Sequence, residues 1–406
     1  MIIRNLIQVT DMNPADFLKG VDILDIGTIS GKQVTPETSR NIATAYRCIN
    51  ILSDDVAKLP LQTRIKRSPD KSEQIEPDSR LENIAWLLEI SPNRWTTPFV
   101  FKKLAITSMV THGAAYLWQP PRRAGRRREI FILPTNVTKP VFDENYQLWY
   151  EVRIPGRKPI RYPDVEVLAL LLNPVDEIHG RGVITYARET IGRQLANYAT
   201  QGKIAGKGLN PSGIAWMGGD LDKEARKKVR ETYEEALRES GIAVFDTKVT
   251  KFEAITLKPV DAQFLESIQE NDTEIANYFG VPLYKLNIGK QSYQSNEQQN
   301  IDYLTTTMDT FLVQWEQAAK IKWLTEAEQN FMYFKFNRDA LLRTDAKTRT
   351  ETLEKRIFSG QLTPNQASQI EDQPPFPGGD THYIPANMAI IMPDGSLKAG
   401  GNNAQP

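Results

Sequence analysis

Two helical runs, residues 184–207 and 260–279, bracket a compact insert at 208–259, and this nesting constrains the fold more than any other feature. The insert reads as a Gly/Pro turn, a short strand over 213–217, a heavily charged helix over 221–240, and strands over 242–245 and 248–255. The bracketing helices differ in charge. The first carries Arg188, Arg193, Lys203 and Lys207 against Glu189; the second carries Asp261, Glu266, Glu270, Asp272 and Glu274 and no base. Glu266, Glu270 and Glu274 fall at i, i+4 and i+8, one stripe of like charge that mildly destabilises an isolated helix. Such a stripe is a solvated face, a partner for the basic helix, or the lining of something that repels anions.

Around this frame the rest of the chain reads as α+β. The first 34 residues alternate short apolar clusters with Asp and Gly, as a loosely held arm. Thr35 as N-cap, Pro36 at the first helical position and Glu37 in the first turn start a helix. Ile42, Tyr46, Ile49, Leu52 and Val56 continue it at helical spacing until Leu59-Pro60. Residues 61–65 alternate like a strand, helical patterns follow near 79–90 and 97–112, and short strands fill Ala114 to about Leu172. Gly280-Val281-Pro282 stops the second bracketing helix, and the stretch to Gln299 is polar with little pattern. A long helix posted by Tyr303, Met308, Leu312, Trp315 and Trp323 comes next. A short one restarts at Leu362-Thr363-Pro364, and residues 394–406 read as disordered.

Chemistry is sparse. Gly202-Lys-Ile-Ala-Gly206-Lys207-Gly208 fails as a phosphate loop, because it has three residues between the glycines and no Ser/Thr after the lysine. Asp54 and Asp55 are adjacent on a helix, about 100° apart, and read as a solvated helix end. The single cysteine, Cys48, excludes an internal disulfide and reads as a small core residue. His112, His179 and His382 lie far apart, and His179 reads as a turn-surface residue. No catalytic, metal or cofactor site emerges. The longest apolar run, 165–172, is strand-sized and far short of the roughly 20 residues of a membrane span.

Fifty Lys+Arg balance fifty Asp+Glu in 406 residues, which argues against clamping nucleic acid by bulk positive charge. Arg122, Arg123, Arg126, Arg127 and Arg128 cluster locally, as a solvated hairpin tip, a subunit contact or a nucleic-acid contact. Lys285 and Lys290 sit with Tyr284, Gln291 and Tyr293 in the polar stretch. Two lysines alone cannot hold DNA, but a ring repeating them around a pore could make many weak contacts.

Several words in fixed order carry a family resemblance. They are residues 45–60 (Ala-Tyr-Arg-Cys-Ile-Asn-Ile-Leu-Ser-Asp-Asp-Val-Ala-Lys-Leu-Pro), Gly180-Arg181-Gly182-Val183-Ile184, and 261–266 with Ile275-Ala-Asn-Tyr-Phe-Gly280-Val281-Pro282. Tyr293-Gln-Ser-Asn296-Glu297-Gln298, Gly360-Gln-Leu362-Thr363-Pro364-Asn365 and Pro374-Pro-Phe-Pro-Gly378-Gly379-Asp380 follow. The chain resembles, over about residues 38–393, the portal proteins of tailed double-stranded DNA bacteriophages, the large family common in long-tailed phages. The family often has Glu after the Asn where this chain has Gln366, which bears on local capping.

The resemblance implies a multi-domain α+β portal fold assembled as a ring, typically of twelve subunits, at one capsid vertex. It implies an arm at 1–37, a wing at 38–183, stem helices at 184–207 and 260–279, and a clip at 208–259. It further implies a tunnel loop at 280–298 with Lys285, Lys290, Gln291 and Tyr293 facing DNA, a long helix and return through the wing at 299–343, a crown at 344–393 and a tail at 394–406. Glu266, Glu270 and Glu274 would line the channel. Lys223, Arg226, Lys227, Lys228 and Arg230 of the clip would dock the terminase large subunit and a head-completion or adaptor protein. The other implied partners are the major capsid and scaffolding proteins and double-stranded DNA in passage, without a membrane. The implied place is the virion's portal vertex, after assembly in the host bacterial cytoplasm. The competing class is a DNA-processing enzyme with an unrecognised active site.

Overall fold

The computed structural model describes residues 28–68, 71–78, 84–121, 129–207, 212–217, 249–255, 261–288, 296–338, 346–371, 373–382, 389–391 and 397–399, with separate positions between 223 and 231. The chain divides into two compact units, residues 1–294 with 302–337 and residues 295–301 with 338–406.

In the first unit Thr35 caps a helix as its sequence predicts, but only a four-residue one, α1 (Pro36–Ser39), closed by a Thr35–Thr38 capping box. The main helix α2 (Ala43–Lys58) starts afresh, because Ile42 is drawn fully into the core with extended backbone. Ala45, Cys48, Ile49, Leu52 and Val56 make its buried stripe, whereas Tyr46, expected on that stripe, is 55% exposed. Pro60 ends the helix, lacking the N–H to continue it and forcing Leu59 into extended backbone. Strand β1 (Leu61–Ser68) then pairs antiparallel with β2 (Lys71–Gln74) on one side and with a later strand on the other.

Helices α3 (Ile84–Glu89) and α4 (Pro98–His112) follow. Thr97 caps α4 by accepting from the Val100 N–H, Pro98 is its first residue, and Gly113 closes it at φ +91°. This left-handed closure turns the chain directly into β3 (Ala114–Trp118). β3 lies between β4 (Phe131–Leu133) and β8 (Val167–Leu171) in one antiparallel sheet; β5 (Thr138–Phe142), β6 (Leu148–Val152) and β7 (Ile160–Pro163) form a second. Ala114, Tyr116 and Val167 pack on Tyr150 and Val152 of the second sheet, with the Tyr116 and Tyr150 rings 5.0 Å apart. Their neighbours Ala115, Leu117, Leu168 and Leu170, pointing the opposite way by the period of a strand, are equally buried. The Arg cluster at 122–128 lies outside the described residues.

Lys102 of α4 is a charged side chain in this core. It is 6% exposed, and its ammonium donates to the Leu59 carbonyl at the end of α2. Burial lowers its pKa to about 8, against a smaller upward pull from Glu89. A lysine depressed in the folded state costs stability fully below that pH, and the cost fades as pH rises toward the ordinary value of 10.5. Lys102→Met should therefore raise stability near pH 7 by about 1–3 kcal/mol, net of the lost cap. Denaturant melts of both proteins from pH 7 to 10 should show the difference shrinking above pH 8. A difference that stays flat with pH, or a less stable variant, would contradict the assignment.

Helix α5 (Val183–Lys207), the antiparallel pair of β9 (Ser212–Met217) and β10 (Val249–Ile255), and helix α6 (Asp261–Phe279) realise the nested plan. The strand expected over 242–245 lies outside the described residues. Helix α7 (Asn296–Tyr303) is followed by a π-helical turn at Leu304–Met308 and by α8 (Asp309–Trp323). After the capped turn α9 (Glu326–Gln329), β11 (Met332–Phe336) pairs with β1 from Leu61↔Phe336 to Ile65↔Met332. Trp315 and Trp323 of α8 meet Phe336 and Phe334 edge to face at 6.0 and 5.9 Å.

The second unit holds α10 (Ala346–Phe358), α11 (Pro364–Ile370) and a hairpin of β12 (Ala389–Ile391) with β13 (Leu397–Ala399). The last strand corrects the reading of 394–406 as wholly disordered. Ile390 and Ile391 supply a strand-forming partner.

Candidate functional site

The two long helices are cross-linked side by side. Arg193 on α5 donates to Glu274 on α6 at 2.6 Å, and Asn271 on α6 donates to Gln194 on α5 at 3.0 Å. Links 193–274 and 194–271 run in opposite senses along the chain, so the helices are antiparallel. Glu274 of the acidic stripe is therefore engaged within its own chain, in a half-exposed pair of small energetic worth. Glu270 is exposed, and with Ser30, Arg193, Asn197 and Glu274 it borders a cleft of about 270 Å³. Asp272, beside the stripe, accepts from Thr44 on α2 at 2.6 Å and so ties α6 to the body of the unit. The side chain of Glu266 lies outside the described residues.

The α5 helix is rooted by backbone contact. Gly180 and Gly182 run against the corner made by α4, Gly113 and β3: a Cβ at Gly180 would sit 2.1 Å from the Gly113 carbonyl oxygen, and one at Gly182 would sit 2.2 Å from that of Thr111. The Gly113 carbonyl accepts from Leu172 N–H, and Arg181 N–H donates to Leu172. The glycines of the Gly-Arg-Gly word are there because no side chain fits.

At the same end of the helical pair, Gly280 (φ +64°) closes α6, and a 3₁₀ turn over Leu283–Leu286 places Lys285 against α2. Its ammonium is 2.8 Å from Asp55 and 4.1 Å from the centroid of the Tyr303 ring. Asp55 is 7% exposed, which corrects the reading of Asp54-Asp55 as a solvated helix end. Its position between Leu52 and Val56 on the buried stripe was the available signal. A carboxylate on an apolar face needs a partner, and Lys58 and Lys285 are its partners. Asp54 pairs with Lys103 on α4 at 2.6 Å. Of the residues assigned to DNA, Lys285 is thus held by protein, while Lys290, Gln291 and Tyr293 lie outside the described residues.

In the insert, positions 223, 224, 227, 228 and 231 are helical, and Lys223, Lys227 and Lys228 are exposed. Lys227 reaches Glu231 at 3.7 Å, one turn on. Arg226 and Arg230 lie outside the described residues. Cys48 is buried, and burial first, then Asp272, pushes its thiol up to about 12, the environment of a core residue and not of a nucleophile. His179 sits on Asp176 at 2.8 Å in a turn. Among the described residues no three His, Cys, Asp or Glu side chains gather in a way that would hold a metal ion, and no helix is long and apolar enough to cross a membrane.

The family model described as phage portal protein matches residues 43–372. The chain belongs to the phage portal protein family. The general role of this family is to form the DNA-packaging channel of a phage capsid. The portal protein of Enterobacteria phage HK97 is 25% identical over 402 residues, covering 93% of this chain and 89% of that one. The probable portal protein of Streptomyces phage phiC31 is 25% identical over 404 residues, covering 91% and 83%. Among solved structures, an HK97 family phage portal protein from Corynebacterium diphtheriae aligns with a TM-score of 0.56 at 16% identity, over 75% of this chain and 95% of its own. A chain of the neck of the native GTA particle, computed with C12 symmetry, aligns with a TM-score of 0.55 at 18% identity, over 84% and 92%. The mixed helix-and-sheet fold of this family member is that of the HK97-type portals.

Proposed function

We propose that this chain is the repeating subunit of a ring of twelve at the portal vertex of a phage head, through which double-stranded DNA is packaged and later ejected. The family match across 43–372, spanning both long helices and the insert between them, carries the reading. On it, 38–183 is the wing, 184–207 and 260–279 are the stem, 208–259 is the clip, 280–298 is the loop that meets DNA, 299–343 is the long helix and return, and 344–393 is the crown. The terminase motor and head-completion proteins dock on the clip through the basic residues Lys223, Arg226, Lys227, Lys228 and Arg230; capsid and scaffolding proteins surround the wing. The subunit is structural, and ATP hydrolysis belongs to the motor.

Charge supports the reading. A wall past which DNA slides cannot neutralise many phosphates, since each one neutralised adds affinity and hence friction. A net charge of zero and the stripe Glu266, Glu270 and Glu274, of which Glu274 is half used by Arg193, suit a low-friction wall.

The purified chain should form closed rings with a central hole by negative-stain microscopy and mass photometry, without DNA-dependent ATPase or nuclease activity. Monomers with robust activity in the absence of any motor would favour the enzyme class instead.

A further inference from the structure

Lys285 lies in the segment that the portal reading turns toward DNA, yet its side chain faces inward. It is 19% exposed, its ammonium is on Asp55, and it lies over the face of the Tyr303 ring. Its backbone is held as well, since Arg47 Nη2 donates to the Lys285 carbonyl at 2.9 Å. Tyr303, fully buried, enters from the helix that resumes after the segment; burial first, and then the Asp55 charge, push its phenol far above the ordinary range and keep it neutral. One residue group further on, Thr307 in the π-helical turn donates to the Gly280 carbonyl at 2.8 Å. The chain on both sides of residues 289–295 is thereby fastened at one place, around Asp55 on α2.

We infer that Lys285 is a positioning residue: with Asp55 and Tyr303 it fixes the root of the segment and does not itself touch DNA. The DNA half of this statement rests on the portal reading; the fastening half stands on its own contacts. Withdrawing Lys285 toward a phosphate would strand a buried carboxylate, and removing one partner of a buried pair costs far more than one solvent-exposed phosphate contact returns. Lys58, the other base on Asp55, is 61% exposed and cannot replace the enclosed ammonium. The cation over the Tyr303 ring adds an attraction that DNA would also have to break.

The test uses the full-length protein with Lys285→Met, Lys285→Arg, Asp55→Asn and the Met/Asn double variant. Hydrogen exchange is followed at the amides of Lys285, Asn287 and Ile288, which donate within the 3₁₀ turn to Pro282, Tyr284 and Leu283. Lys285→Met and Asp55→Asn should each speed exchange there by about tenfold, with the double variant no faster than either single one. Lys285→Arg should restore protection to within about threefold, because it keeps the charge. The salt dependence of binding to a short random-sequence DNA duplex should keep its slope in Lys285→Met. Unchanged exchange in Lys285→Met, additive effects in the double variant, or a slope shallower by about one per subunit would overturn the inference, the last by making Lys285 a phosphate contact. If Asp55→Asn does not fold, the Met and Arg variants decide alone. A wild-type ring that holds the duplex too weakly for a slope is what a low-friction wall predicts, and the exchange results then decide the fastening alone, while the absence of rings would count against the DNA-channel reading.

Discussion

Replacing Gly182 by alanine is expected to destabilise the protein by about 3 kcal/mol or more and to abolish ring formation. The added methyl would meet the Thr111 carbonyl oxygen at 2.2 Å, its carbon at 2.6 Å and the His112 nitrogen at 3.0 Å, all backbone atoms that no rotamer change moves aside. Relief would require the end of α4 to shift. That end is pinned in turn by Gly113, whose carbonyl receives the Leu172 N–H and whose own Cβ position is filled by Arg181 backbone at 2.5 Å. The strain therefore falls on the joint that sets the direction in which α5 leaves the sheet. A subunit whose α5 leaves at the wrong angle cannot close a ring, so the assembly defect should exceed the stability defect. Gly202, in the same helix with nothing within 4 Å, is the control: Gly202→Ala should be neutral or stabilising by about 0.5–1 kcal/mol. Denaturation midpoints and mass photometry on both variants decide it. A Gly182→Ala protein that melts and assembles like the wild type would mean that the corner is looser than its contacts indicate.

Local signals carried much of this architecture. Pro60, Gly280-Val281-Pro282 and Thr363-Pro364 end or start helices where their backbone chemistry dictates, and the two long helices with their insert are legible from period and charge alone. Three-dimensional partners were not legible. The adjacency of Asp54 and Asp55 suggested a wet helix end, because nothing in the sequence announces that Lys285, 230 positions later, folds back onto the second of them. Tyr46 fits the apolar spacing but loses its place to Ala45 and Cys48, smaller residues that allow α2 and α4 to approach. The acidic stripe reads as one face by its spacing, yet whether a carboxylate on it is free depends on α5, and Arg193 claims Glu274. The Gly-Arg-Gly word was recognisable as a pattern before its cause was, since a close backbone approach leaves no trace in composition.

The same holds for the C-terminal words, where Asn365→Ala should cost about 2–4 kcal/mol of local stability. Asn365 Nδ2 donates to the Phe376 carbonyl at 3.1 Å and to Asp380 at 2.9 Å; its Oδ1 accepts from the Phe376 N–H at 2.9 Å; its own N–H donates to the Gly379 carbonyl at 2.9 Å. Gly379 is glycine because a Cβ there would lie 2.3 Å from Asn365 Oδ1. One amide thus ties the Leu362-Thr363-Pro364-Asn365 word to the Pro374–Asp380 word, and alanine leaves two backbone groups of Phe376 without that partner. Asn365→Asp is not a rescue: it keeps an acceptor for Phe376 but sets a carboxylate against Asp380. Gln366, standing where the family often has Glu, completes the capping box with Thr363 through bonds of 3.0 and 3.2 Å, so Gln366→Glu should be near neutral and Gln366→Ala should cost about 1 kcal/mol. The loss in Asn365→Ala should appear as faster hydrogen exchange and proteolysis confined to 361–380, within a unit that is compact by itself, with exchange in α2 and α4 unchanged. Wild-type protection of 361–380 in that variant would show that Thr363 capping and the turn's own backbone bonds hold the two words together without the amide.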